Sequence, residues 1–144
     1  MTFAMDVNPL LYASDDTSPF RDRARLLLDE IAMGEDLVYL FWPVAMGYLR
    51  IATHPRVFRA PLTPGEAMSN IEGLIALPNV RTGAEDDEFF TRFRQVTGGM
   101  AVRGDQVPDA HIVALMKQFG LSEICTHDRD FARFRGIRIV DPFS

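Results

Sequence analysis

Cysteine is almost missing from this 144-residue chain, where Cys125 stands alone. A single cysteine closes no internal disulfide and has no partner thiol for a zinc site. Its apolar, strand-like surroundings suit a small packed hydrophobe, so redox chemistry is not expected. Lysine is as scarce: Lys117 is the one lysine among 15 basic residues, the rest being arginine. That bias fits planar, bidentate recognition of RNA phosphates, and it fits the base composition of the encoding genome equally well. No apolar run approaches about 18 residues, and Met1 stands too close to Asp6 to leave room for a secretory leader. The expectation is a cytoplasmic protein without membrane contact. Basic residues are outnumbered, giving a net charge of -5. That excludes a protein that coats nucleic acid through bulk electrostatics, while leaving a local basic groove open.

What is present is ordinary globular composition, 47% hydrophobic and 24% charged, in a length that suits one domain spanning residues 1–144. Phe3 to Val7 reads as a short buried strand ending at Asn8-Pro9, and a helix follows Ser18-Pro19 from about Phe20 to Met33, stopping at Gly34. Leu37 to Trp42 reads as a second strand, and Pro43 opens a helix that ends before His54-Pro55. Thr63 stands three residues before Glu66, the spacing of a capping box, and starts a helix to about Leu77. Asn79 to Thr82 is a third strand candidate. Two helical faces follow, from Glu85 to Gly98-Gly99 and from Val107 to Phe119. Ile124 to Thr126 and Ile137 to Val140 complete the strands, with a short helix around Phe131 to Phe134 between them. Strands alternating with helices through short connections predict a parallel sheet covered on both faces.

Carboxylates recur where these strands should hand over to helices, and open α/β sheets build their ligand sites at those ends. Acids gathered in such a place repel one another and lose hydration unless a cation stands among them, and a hard divalent ion is the natural occupant. Asp6 and Asn8 share a face if the first strand persists, with Val7 toward the core; an Asx turn or helix cap is the plain alternative. Asp109 falls in the first turn of its helix after Pro108, where the helix dipole alone would favour an acid by about 0.3–1 kcal/mol. His111 lies on the opposite side of that helix and reads as structural or exposed. Thr126 and Asp128 share a face while His127 points away, and Asp130 either caps the next helix or assists.

The order Asp6-x-Asn8, Trp42-Pro43 leading to Leu49-Arg50-Ile51-Ala52-Thr53, Pro108-Asp109-Ala110, Thr126-x-Asp128-x-Asp130-Phe131 and a closing Asp141-Pro142 resembles PIN-domain proteins, and more narrowly the VapC-type toxins of bacterial toxin-antitoxin modules. The resemblance runs from end to end. It implies an α/β three-layer sandwich, with a central parallel sheet of five strands, and a magnesium-dependent endoribonuclease in which manganese substitutes for magnesium. It implies a homodimer silenced by a VapB-like antitoxin, and an RNA substrate such as tRNA, rRNA or mRNA. Asp6, Asp109 and Asp128 are then the catalytic acids and metal ligands. Asn8, Arg50, Thr126 and Asp130 support them or touch the substrate, with Arg50 reaching RNA or balancing the acids.

One position departs from the family. Many relatives carry a glutamate just before the aromatic-leucine-arginine run, and here Tyr48-Leu49-Arg50 follows Gly47. Asp105 or Asp130 is a candidate to replace the missing charge. The competing expectation is a catalytically weakened PIN-like module that binds RNA or antitoxin; a receiver-like or phosphatase-like domain lacks the expected second acid at Asn8 and a late lysine. Arg129, Arg133, Arg135 and Arg138 either line a groove or form a solvated face. Phe20, Leu27, Leu28, Met46 and Phe58 are candidates for a dimer or antitoxin surface, with core packing as the alternative use.

Overall fold

The computed structural model describes residues 1–144. β1 (Thr2–Met5) buries Phe3, Ala4 and Met5 in succession, so it runs inside the sheet and not along an edge. It stops at Asp6, whose side chain accepts a hydrogen bond from the Val7 amide and starts α1 (Val7–Ser14). This helix is not expected from the sequence, where Asn8-Pro9 reads as a strand terminator. Pro9 lies in the first helical turn, where backbone N–H groups have no intrahelical partner, so its missing donor costs nothing there.

The remaining elements follow the predicted alternation closely. α2 (Arg21–Met33) leads to β2 (Leu37–Phe41), and α3 (Trp42–Ala52) carries Pro43 in its first turn. α4 (Pro64–Ile75) begins in a complete capping box: Thr63 Oγ1 accepts from the Glu66 amide at 3.2 Å, and Glu66 Oε1 accepts from the Thr63 amide at 3.1 Å. β3 (Val80–Gly83), α5 (Phe89–Thr97) and α6 (Gln106–Gln118) follow. β4 (Glu123–Cys125) ends one residue earlier than expected, and a short 3-10 helix (Arg129–Arg133) precedes β5 (Arg138–Val140).

All five strands are parallel, in the order β3-β2-β1-β4-β5. The chain therefore winds one way from β1 to β3 and the other way from β4 to β5. The gap between β1 and β4 is the topological switch point where such sheets place ligands. Register brings Met5 opposite Cys125, and the Asp6 amide donates to the Cys125 carbonyl at 3.1 Å, so Asp6 and Thr126 leave the sheet side by side.

α1 packs on α2 and α3, α3 packs on α4, and α5 packs on α6, giving the three-layer α/β/α sandwich. Ile112 to Met116 of α6 are buried without interruption, because α5 and α3 pack on this helix and its apolar side chains join the common core. Phe41, Leu40, Ile124 and Leu115 are almost wholly buried, each stabilising the fold by about 1.5–3 kcal/mol. Leu27 and Phe58 belong to this core and are not free surface, whereas Met46 is 53% exposed. Cys125 is buried, which pushes its thiol up to about 12, as befits an unreactive packing residue.

A carboxylate cluster at the switch point

Asp6 is 4% exposed and both its oxygens are engaged. Oδ1 accepts from the Val7 amide at 2.7 Å, and Oδ2 accepts from Thr126 Oγ1 at 2.7 Å and from Asn8 Nδ2 at 3.4 Å. Burial is the main cause that raises its carboxyl above the ordinary value, and the charge of Asp128 adds to it, while bonds from Thr126 and Val7 pull the other way. Asn8 approaches Asp6 through the first turn of α1, not through the strand alternation the sequence suggested. Its Nδ2 also donates to Thr126 Oγ1 at 3.1 Å, and its Oδ1 accepts from the His127 amide at 3.1 Å. One amide side chain thus ties the end of β1 to the end of β4.

Thr126 is fully buried, and beyond β4 the chain turns around its hydroxyl. Oγ1 donates to Asp6 and accepts from Asn8 and from the Asp128 amide at 2.9 Å, which uses its one donor and both acceptor sites. The turn carries Asp128 to the cap of the 3-10 helix, where its Oδ1 accepts from the Asp130 amide at 2.9 Å. Asp128, not Asp130, is therefore the capping residue.

Asp130 is left free to face Asp109. Ligand oxygens of Asp109, Asp128 and Asp130 lie within 4.8 Å of one another. Asp6 lies outside this group of three but within electrostatic reach of Asp109 and Asp128. The Asp109 carboxyl is pushed up to about 7, first by burial and then by the charges of Asp128, Asp6 and Asp130, with Arg133 opposing. Oxygen-only donors at this separation, one of them reluctant to ionise alone, form a set suited to a hard divalent cation. Asp105 is the N-cap residue of α6, is exposed and stays outside the group.

Arg50 is exposed and in no ion pair, so the cation acting on the acids is Arg133 and not Arg50. Arg138 pairs with Glu123 at 2.5 Å, away from the cluster. His111 is half-buried, with Nε2 2.5 Å from Glu85 Oε1 and its ring edge-on to Phe89. His127 turns away from the acids as expected. Its Nδ1 bonds Asp141 at 2.9 Å, and its ring packs among Tyr12, Phe20 and Phe143. Burial alone would raise Asp141, but bonds from the Phe143 amide and from His127 hold its carboxyl below the ordinary value.

Gly47 faces Val7, the neighbour of Asp6: a Cβ at this position would meet only Val7 Cγ2, at 3.8 Å. The place therefore accepts a methyl group, and nothing in the packing around the Cβ position demands glycine. The alternating Asp128-x-Asp130 spacing was the available signal for the place of Asp130 in the group, and Arg133, which the sequence offers as one of four arginines lining a groove or a solvated face, is the member of that run that acts on Asp109.

No protein-family model matches the chain. Ribonuclease VapC48 of Mycobacterium tuberculosis is 48% identical over 144 residues, covering 100% of this chain and 99% of its own. Ribonuclease VapC43 of the same organism is 31% identical over 142 residues, covering 97% and 95%. Among solved structures, VapBC-1 from nontypeable Haemophilus influenzae superposes with a TM-score of 0.67 at 13% identity, over 100% of both chains. VapC20 of Mycobacterium tuberculosis, described as a sarcin-ricin loop cleaving toxin, gives 0.66 at 15% identity, over 94% and 98%. The structural likenesses show the fold; the full-length identity carries the assignment, and on it the chain belongs to the VapC ribonuclease family, with the PIN-domain sandwich of that family.

Proposed function

We propose that this protein is a magnesium-dependent endoribonuclease toxin of a type II toxin-antitoxin system, cleaving tRNA, rRNA or mRNA in the cytoplasm and held silent by a VapB-like antitoxin. The observation that carries the reading is the convergence of Asp109, Asp128 and Asp130 at the switch point, with Asp109 pushed up to about 7. Asp109 and Asp128 would hold magnesium or manganese together with Asp130, and Asp6 would complete the negative pocket from beneath. A bound divalent ion supplies an activated water near neutral pH and a clamp for phosphate oxygens. The chain's own groups fix where that chemistry takes place. Thr126 and Asn8 lock Asp6 in one rotamer, and the Thr126 turn sets the angle of Asp128. Arg133 supplies the nearby positive charge for a phosphodiester and for the uncompensated acids.

Support for an antitoxin partner comes from an apolar groove of about 550 Å³ between α1, α2 and α4, lined by Leu10, Leu28, Leu62, Leu74 and Leu77. The Haemophilus protein's own designation, VapBC-1, is that of a toxin-antitoxin pair. A homodimer is supported by Trp42 and Met46, exposed one turn apart on α3 at 39% and 53%. No helix is long and apolar enough to cross a membrane. A weakened, binding-only module is the second reading, favoured by Gly47 beside the acid site.

Incubation of the antitoxin-free protein with total RNA and magnesium, followed by mapping of new ends, separates the two. The nuclease reading expects discrete cuts, abolished by chelator and reduced at least about 100-fold by Asp109→Asn, as expected when a group of the reacting centre is lost. RNA binding without cuts, or cuts that survive Asp109→Asn, would favour the binding module or another active site.

A further inference from the structure

Asp109, Val113 and Lys117 recur at every fourth residue of α6 and so form one stripe along its surface. The segment from Asp128 to Gly136 runs beside this stripe. At one end Asp130 meets Asp109; at the other, Lys117 Nζ donates to the Arg135 carbonyl at 3.1 Å. Between the far ends opens a cavity of about 450 Å³, with Val113 and Phe134 as its floor and Arg92, Lys117 and Arg135 around it. Three cations at one cavity are notable in a chain of net charge -5.

Two of these three charges have no carboxylate partner. Arg92 shares its guanidinium with Asp86 at 3.0 Å, but no carboxylate pairs with Lys117 or Arg135. Lys117 gives one of its three donors to the Arg135 carbonyl, which leaves two for a ligand. Gly136 lets the ammonium seat closely: its φ is +79, and a Cβ there would lie 2.9 Å from Lys117 Nζ. Tying down the 3-10 segment requires that one lysine bond and gives no reason for the Arg135 side chain to stand at the same cavity.

We propose that this cavity is a subsite for a backbone phosphate of the RNA, seated along the same groove as the scissile bond. This rests on the ribonuclease reading. Lys117 is eight residues from Asp109, about 12 Å along the helix at 1.5 Å per residue, which an RNA strand spans in a few nucleotides. Asp109, Asp128 and Asp130 would hold an ion that clamps the reacting phosphate, and Arg133 acts on Asp109 while its guanidinium stands 5.6 Å over the ring of Phe134, which lines the cavity. The subsite fixes the register of the strand without reading bases, as phosphate contacts do.

Fluorescence anisotropy with single-stranded RNA across 50–200 mM salt tests this, using Asp109→Asn as a cleavage-silent parent. Adding Lys117→Gln and Arg135→Gln together is expected to weaken binding about 10-fold at low salt. It should also flatten the slope of log K against log salt by about 0.7, the signature of one lost phosphate contact. Lys117→Arg, which keeps the charge, should retain the parent's slope, and thermal unfolding of each variant confirms that it is folded. Unchanged affinity and slope in the double variant would overturn the subsite alone. Absence of RNA binding by both the parent and the unsubstituted protein held in chelator would overturn both the subsite and the ribonuclease reading beneath it.

Discussion

The hydroxyl of Thr126 and the carboxyl of Asp109 are in opposite conditions, and the difference defines the site. Thr126 is satisfied in all three of its hydrogen-bonding positions, whereas Asp109 is brought near three other acids with Arg133 as the one opposing cation named beside it. The tension in Asp109 has a measurable consequence for the metal-free protein. Its carboxyl rises from 3.8 to about 7 on folding, so between those values the folded state holds a proton that the unfolded chain releases. Stability therefore falls as pH rises from about 4 to 7 and levels off above that. Urea unfolding in chelator should show Asp109→Asn to be the more stable protein at pH 8, by about 1–2 kcal/mol once the partly exposed carboxyl is discounted for solvent screening, with the gap closing near pH 4. A gap that widened on acidification would contradict the burial of these charges. Sequence spacing made Asp6, Asn8, Asp109, Thr126, Asp128 and Asp130 visible as candidates, along with Arg50, which the structure leaves exposed and outside any ion pair. It did not reveal that Asp130 joins Asp109 while Asp6 is withdrawn beneath, because that depends on the turn around Thr126.

At the level of elements, α1 is the instructive departure. A proline four residues after the first strand looks like a terminator in one dimension, yet in the first helical turn it is harmless, so Asp6 becomes a helix cap and Asn8 swings onto Thr126. The capping box at Thr63 and the start of α3 at Trp42-Pro43 were legible because their signals are local. α3 also offers a clean test of the space beside the acids. Gly47 is a glycine in a helix interior with no packing reason for it, since an added Cβ meets only Val7 Cγ2 at ordinary contact distance. Gly47→Ala should stabilise the protein by about 0.5–1 kcal/mol and raise Tm by about 2–4 °C in a scanning experiment. A lower Tm would mean that α3 and α1 are packed more closely than the structure has them.

On the scale of the whole molecule, strand alternation predicted a parallel sheet with covered faces, and the order β3-β2-β1-β4-β5 supplies what periodicity cannot, a switch point between β1 and β4. Asp6, Asp109, Asp128 and Asp130 lie around that point, although Asp6 and Asp128 are separated by most of the chain. The basic cavity, in contrast, joins Arg92, Lys117 and Arg135 from three separate segments, and only Arg135 belongs to the arginine run visible in the sequence. The central claim is that the carboxylates at the switch point are a metal centre, and calorimetric titration of the antitoxin-free protein with manganese at pH 7 tests it most directly. Saturable binding is predicted, with protons released as Asp109 ionises, read from the dependence of the heat on buffer ionisation, and with affinity lost in both Asp109→Asn and Asp130→Asn. Absence of binding, or binding that both substitutions leave intact, would contradict the assignment of this cluster as the metal centre.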